Sequence, residues 1–299
     1  MRVAVTGSSG LVGSALLPHL SAQGHQVIRI VRAASTGGGS VIRWDPAVGT
    51  IELEGLADVD AVVHLAGDNI VGRWTAQKKA RILGSRVRGT RLIATTLAAM
   101  TPPPKVLACA SAIGYYGTRG EELLTETSAP GAGFLSEVCR AWEAAAEPAR
   151  QRGIRVVHLR IGIVLSPAGG ALGKMLLPFR LGLGGTIGGG HQWWSWVAIA
   201  DVLGSITHAL ATDALTGPVN VAAPTPVTNR AFTKILGAEL RRPTVCPVPA
   251  FVLRAALGEM ADAVLLASAR VVPRRLTETG YRFQHPELEG ALGHLLAAT

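Results

Sequence analysis

The chain has 299 residues, of which 48% are hydrophobic, 16% charged and 5% aromatic, with 36 glycines and 17 prolines. A chain of this size buries a large core. Its low charge and aliphatic richness exclude a disordered chain, and the lack of a glycine period excludes collagen, so an α/β protein of one large domain or two remains.

The formal charge of +9 is local, because residues 69–120 hold nine Lys and Arg and no acid; removing those nine from 29 leaves 20 cations against 20 acids elsewhere. Such a patch suits either a solvated helix face or an anionic cofactor or substrate. It carries no aromatic interleaving beyond Trp74 and no nucleic-acid signature, so no nucleic-acid partner is expected. Cys109, Cys139 and Cys246 are widely spaced, which indicates neither a disulfide framework nor a zinc site. No metal is expected. Residues 181–200 are uncharged but include six glycines, His191 and Gln192, which argues against a membrane helix, and no membrane partner is expected. The opening Met1-Arg2-Val3-Ala4-Val5-Thr6 lacks the order of a secretory signal. The expectation is a cytoplasmic protein with reduced, buried thiols.

In chain order, residues 2–6 read as a buried strand, 11–23 as a helix and 26–31 as a second strand, the spacing of a parallel crossover. Residues 41–44 and 50–53 read as a hairpin. A strand over 60–66, a helix over 75–100, a strand over 105–110, a helix over 134–150 and a strand over 154–160 continue the alternation. That pattern favours a parallel sheet covered on both faces. Residues 162–190 contain ten glycines and read as loops around the apolar piece 175–179, suited to a substrate pocket. A helix over 200–211, a strand over 218–222, a helix capped by Thr228, and helices over 250–258 and 286–296 complete the chain. The fold class is α/β, a doubly wound parallel sheet with a smaller substrate-side region and a C-terminal helical module. The implied units are 1–165, 166–248 and 249–299.

Gly7, Gly10 and Gly13 sit at i, i+3 and i+6 between the first strand and the first helix. In that context Gly7 permits the turn, Gly10 the approach of a pyrophosphate to a helix N-terminus, and Gly13 close packing of helix on strand. Pro18 inside the helix removes one backbone bond. Where an acid would mark NAD, the second strand ends in Arg32. A guanidinium there pairs with a 2′-phosphate and favours NADP(H).

With these residues in place the sequence resembles the extended short-chain dehydrogenase/reductase superfamily, in its atypical epimerase-like branch. The likeness is carried further by His64-Leu65-Ala66-Gly67, Gly84-Ser85-Arg86, Ser111-Ala112-Ile113-Gly114-Tyr115-Tyr116-Gly117 and Trp142-Glu143. Trp194-Ser195-Trp196, Gly217-Pro218-Val219-Asn220 and the tail from Gly258 to Leu276 extend it. The resemblance implies NADP(H) across the carboxyl ends of the strands. Gly7, Ser9, Gly10, Leu11 and Val12 would meet the pyrophosphate, Arg32 the 2′-phosphate, and Leu65 and Ala66 the adenosine and ribose. Arg86 would reach the cofactor, and backbone at Ile163 and Val164 would flank the nicotinamide.

The superfamily's usual chemistry uses a Tyr phenol, a Lys four residues later and a Ser that orients the carbonyl. Ser111 fits the last role. The helix that should carry Tyr-x-x-x-Lys reads Phe134-Leu135-Ser136-Glu137-Val138-Cys139, so both groups are missing. Tyr115 or Tyr116 then serves as a substitute acid or as an aromatic wall, with His191, Trp193 and Trp194 lining the same pocket. Two functions are compatible with this chain. One is an NADP(H)-dependent, epimerase-like oxidoreductase acting on an unknown small molecule; the other is a non-catalytic NADP(H) sensor. A homodimer is compatible with either.

Overall fold

The structure, a computed structural model, describes residues 1–32 and 41–297. Its first half runs β1 (Arg2–Thr6), α1 (Leu11–Ala22), β2 (Gln26–Arg32), β3 (Val41–Asp45), β4 (Thr50–Ile51), β5 (Ala61–His64), α2 (Ala76–Ala99), β6 (Val106–Ala112), β7 (Leu123–Leu124), α3 (Phe134–Ala144) and α4 (Glu147–Gln151). The chain continues through β8 (Arg155–Ile161), β9 (Ile163–Ser166), α5 (Gly170–Arg180), β10 (Trp193–Trp194), β11 (Trp196–Ala198), α6 (Ile199–Ala211) and β12 (Gly217–Val221). It ends with β13 (Val227–Thr228), α7 (Asn229–Glu239), α8 (Ala250–Leu257), β14 (Arg270–Val271), α9 (Arg274–Glu278) and α10 (Leu288–Ala297).

Eight strands form one sheet in the order β12-β8-β6-β5-β1-β2-β3-β4. Every pairing is parallel except the β3–β4 hairpin. The doubly wound sheet expected from the sequence is present. Successive residues of its strands alternate between two cores, as a pleat requires. Val3, Val5, Val63 and Leu159 pack with Leu16 of α1 and Ile206 of α6, whereas Ala4, Val62 and Leu107 pack with Ile93 and Leu97 of α2. The chain leaves β1 for β2 on one side and later places β5 on the other. The crevice for a ligand therefore opens above the carboxyl ends of β1 and β5.

A third core holds Leu165, Leu172, Leu176, Phe179, Trp194, Trp196, Phe232 and Leu292. It joins α5 to α7 and α10, and β7 pairs with β14 to tie the loop after β6 to the C-terminal part.

Three local expectations differ from the structure. Residues 170–180, expected as loop, form α5, because Leu172, Leu176 and Phe179 fall at i, i+4 and i+7 and are buried together. The glycines around them hid that stripe. The helix expected over 134–150 breaks into α3 and α4 at Ala145 and Ala146, with Pro148 in the first turn of α4, where a missing N–H costs nothing. The last helix starts at Leu288 rather than Pro286.

Candidate functional site

Gly7 has φ +68°, and a Cβ there would lie 2.7 Å from the carbonyl carbon of Leu65. A Cβ on Gly13 would lie 2.1 Å from the Gly7 oxygen, so both positions need hydrogen for different reasons. Gly10 caps α1 in an extended conformation, with no side-chain cap and no acid in the first turn. Together with exposed Ser9 it leaves the positive end of the helix facing the crevice. The turn between β9 and α5 comes over the same helix start: Cβ atoms on Gly169 and Gly170 would lie 3.4 and 3.0 Å from the Leu11 methyls.

Below this loop Thr6 ties β1 to β5. Its hydroxyl accepts from the N–H groups of Leu65 and Ala66 at 3.0 and 3.2 Å, and lies 2.8 Å from His64 Nδ1. With both N–H groups donating, the hydroxyl proton goes to Nδ1, and the imidazole proton sits on Nε2. His64 is fully buried, with Trp44 edge-on at 5.8 Å. Burial pushes its pKa down to about 4, so it is neutral at working pH and holds strands together.

Arg86 projects from α2 toward the loop after β5. Its Nη1 donates to the carbonyls of Asp68 and Ile82 at 3.0 and 3.2 Å, and its guanidinium lies 4.9 Å from the Trp142 ring centroid. Burial lowers its pKa, with Cys139 and Asp68 opposing. Arg32 is exposed at the carboxyl end of β2. Ile163 and Val164 stand in β9, register-paired with Trp196 and Val197, and the Ile163 N–H donates to Ser195 at 2.8 Å.

At the ends of β6, β8 and β12 the structure contains a buried polar chain. Ser111 donates to Glu143 Oε1 at 2.7 Å, and Arg160 grips the same carboxylate through Nε and Nη2, both at 2.9 Å. Arg160 Nη1 also donates to the Tyr116 hydroxyl at 3.0 Å, which donates to Asn220 at 2.7 Å. The Asn220 N–H then reaches Glu126 at 3.0 Å. Tyr116 is fully buried, and burial pushes its pKa up to about 12 against the pull of Arg160. Tyr115 is the accessible one of the pair. Its ring lies 3.4 Å from the Arg160 guanidinium, and it lines a cavity of about 530 Å³ with Glu137, Arg140, Ala141, Glu143 and Ala144.

His191 lines a separate cavity of about 440 Å³ with Gln192, Arg254 and Ser268. The expectation of one pocket shared by Tyr115, His191 and two tryptophans is therefore corrected. Trp194 belongs to the third core, 5.2 Å from Phe232, and Trp193 lies under Arg270. The positions that the superfamily pattern gives to a Tyr and a Lys are apolar and packed: Phe134 against Trp74 at 5.1 Å, with Val138 and Cys139 buried. Glu143, Arg160, Asn220 and Glu126 were not anticipated as a unit. Arg160 was the available signal, a charge near the end of a strand that is apolar after Arg155 apart from His158. Among the described residues no cluster of His, Cys, Asp and Glu is placed to hold a metal.

A parallel sheet whose first strand turns through glycines into an uncapped helix start is the architecture of a dinucleotide-binding α/β protein. The chain belongs to the NAD dependent epimerase/dehydratase family, whose model matches residues 3–222. Residues 248–295 match a second model, described as a domain of unknown function (DUF1731). An epimerase family protein of Mycobacterium bovis, Mb2239, is 42% identical over 293 residues, covering 98% of this chain and 96% of that protein. The human epimerase family protein SDR39U1 is 39% identical over 302 residues, covering 99% and 100%. The crystal structure of that human protein (isoform 2), with NADPH, superposes with a TM-score of 0.91 at 38% identity, over 100% of both chains.

Proposed function

We propose that this protein is an NADP(H)-dependent oxidoreductase that reduces a carbonyl of a small molecule without the Tyr-x-x-x-Lys pair. The cradle fits the cofactor: the helix start has no side-chain cap and no acid in its first turn, and the Gly7 turn has no room for a Cβ. On this reading Gly7, Ser9, Gly10, Leu11 and Val12 hold the pyrophosphate, and Arg32 the 2′-phosphate. Leu65 and Ala66 meet the adenosine side, Arg86 braces the loop beside the cofactor, and Ile163 and Val164 flank the nicotinamide. NADPH in the 38% identical human structure supports the choice of dinucleotide. Residues 1–165 then hold the cofactor, 166–248 complete the sheet and the substrate side, and 249–299 form the appended module.

The observation that carries the chemistry is that Tyr115 and Glu143 share one cavity while Ser111 and Arg160 fix the carboxylate from below. The bound dinucleotide supplies a hydride. Tyr115, its ring against the Arg160 guanidinium at the cavity, donates its hydroxyl proton to the carbonyl oxygen as that oxygen gains charge, and water restores the proton. The Ser111 hydroxyl donates its hydrogen bond to Glu143, so toward the substrate its oxygen is free only to accept one. Tyr116, enclosed between Arg160 and Asn220, anchors the wall.

The apolar packing at Phe134, Leu135, Val138 and Cys139 favours a second reading, a sensor that binds the dinucleotide without turnover. NADPH consumption across a panel of aldehydes, ketones and nucleotide sugars separates the two. Turnover that falls about a hundredfold in Tyr115→Phe supports the first. Tight NADPH binding with no turnover on any substrate supports the second.

A further inference from the structure

Residues 162–200 and 240–258 contain no Asp or Glu, and the two stretches run side by side. The Cys246 N–H donates to Gly184 at 3.1 Å and that of Val248 to Thr186 at 2.8 Å, while Arg242 Nε donates to the Arg180 carbonyl at 2.9 Å. Of the twelve large hydrophobic side chains exposed among the described residues, six lie here: Leu177, Leu181, Leu183, Val245, Phe251 and Val252. The concentration is not a scatter of ordinary surface residues.

Helix α8 sharpens the point. Seven of its eight residues are apolar, Arg254 being the exception, and none of them is buried. A helix this short draws its stability from burying a face, and α8 covers only part of one, with Leu257 half-buried against the core of Trp74 and Met260 while Phe251 and Val252 stay exposed. At the other end of the paired segments α5 turns Leu172, Leu176 and Phe179 inward and Leu177 outward, so that side chain stands on a rigid base. Exposed Lys174 and Arg180 stand on α5, with Arg241 and Arg242 next to them through the Arg242 bond to the Arg180 carbonyl, and none of these four makes an ion pair among the described residues.

We propose that this face docks on the surface of a bilayer containing anionic lipids, with the leucines and Phe251 entering the headgroup boundary and the four cations facing phosphates. Charge selects this occupant. A two-fold contact with a second copy would set the same cations against one another. A helical peptide would need a groove, and none of the six apolar side chains lines either cavity. Docking of this kind is peripheral, and no described helix is long and apolar enough to cross a membrane.

The test is co-sedimentation of the full chain with phosphatidylcholine vesicles, with and without an equal part of phosphatidylglycerol, at low and high salt. Binding to the anionic vesicles only, with release by salt, is expected. Arg241→Gln with Arg242→Gln should weaken it about twenty-fivefold, at about fivefold per cation. Leu181→Gln with Phe251→Gln should weaken it at least tenfold, with unchanged thermal melting because both side chains are exposed. Absence of binding to anionic vesicles overturns the proposal, as does equal binding by all variants. So does loss of binding in Arg88→Gln with Arg91→Gln, which would move the contact to α2. A concentration-dependent dimer that Phe251→Gln dissolves would assign the face to a second copy instead.

Discussion

Ser111 and Arg160 stand opposite each other in register on β6 and β8, and both reach the Glu143 carboxylate. One carboxylate near the end of α3 therefore fixes the carboxyl ends of two strands and one wall of the larger cavity. The same geometry explains why an arginine is tolerated on a buried strand: only 3% of its side chain is exposed, and its fork is filled.

Glu143→Ala would leave that guanidinium buried without its partner, which costs about 3–5 kcal/mol. Ser111→Ala removes one hydrogen bond from a carboxylate that keeps Arg160, at a cost of about 1 kcal/mol. Urea unfolding of the two variants checks the order. A Glu143→Ala loss no larger than that of Ser111→Ala would mean that Arg160 finds another partner.

Gly13→Ala places a methyl where 2.1 Å separates it from the Gly7 oxygen. The backbone of α1 must then retreat from the glycine turn, a strain of about 1–3 kcal/mol. The retreat also spoils the approach of the helix start to a pyrophosphate. We expect lower stability together with weaker NADPH binding, read by thermal melting and calorimetry. Unchanged cofactor affinity would show that the turn does not hold the dinucleotide.

Arg32→Ala should lower the affinity for NADPH tenfold to a hundredfold and leave that for NADH nearly unchanged, since a charge-assisted bond to phosphate contributes about 1.5–3 kcal/mol. Arg86→Ala should weaken NADPH binding more than Lys79→Ala, because Arg86 braces the loop after β5 whereas Lys79 is paired with Glu259 on the surface. Calorimetry on the three variants decides both points. Equal affinity of the unaltered protein for the two dinucleotides would remove the role given to Arg32.

The sheet and the glycine turn were legible because short continuous apolar runs alternating with helical segments, and the strand-turn-helix context, are local properties of the sequence. Helix α5 was not, since its three core residues are spread among glycines that mask their spacing. The two cavities were read as one pocket for a related reason. His191 and Tyr115 look alike as polar rings in loops, and only tertiary packing sends them to different cavities. The Ser111, Glu143 and Arg160 cluster joins residues up to 49 apart in number; Trp142-Glu143 was visible as a motif, but its partner on β8 was fixed only by the strand register. The exposed apolar face of α5 and α8 was equally hidden, because a run such as Ala250-Phe251-Val252-Leu253 reads as core until its burial is known.

The His64 contact with Thr6 makes stability depend on pH. An unfolded histidine titrates near its ordinary value of 6.5, and in the folded chain burial lowers His64 to about 4. Between those values the unfolded state binds the proton and the folded state does not, so acid favours unfolding. The contribution is fully present above pH 6.5, is lost as pH falls through the window, and changes no further below about pH 4. A gap of that size corresponds to roughly 3 kcal/mol in total, most of it gone by pH 5. Burial lowers His158 as well, so a single pH series does not isolate His64. Comparing the protein with His64→Gln does, because His158 is common to both. We expect the variant to be less stable at pH 7 and to lose markedly less between pH 7 and pH 5, measured by urea unfolding. Parallel pH dependence in the two proteins would show that the imidazole accepts a proton without disturbing the Thr6 contact.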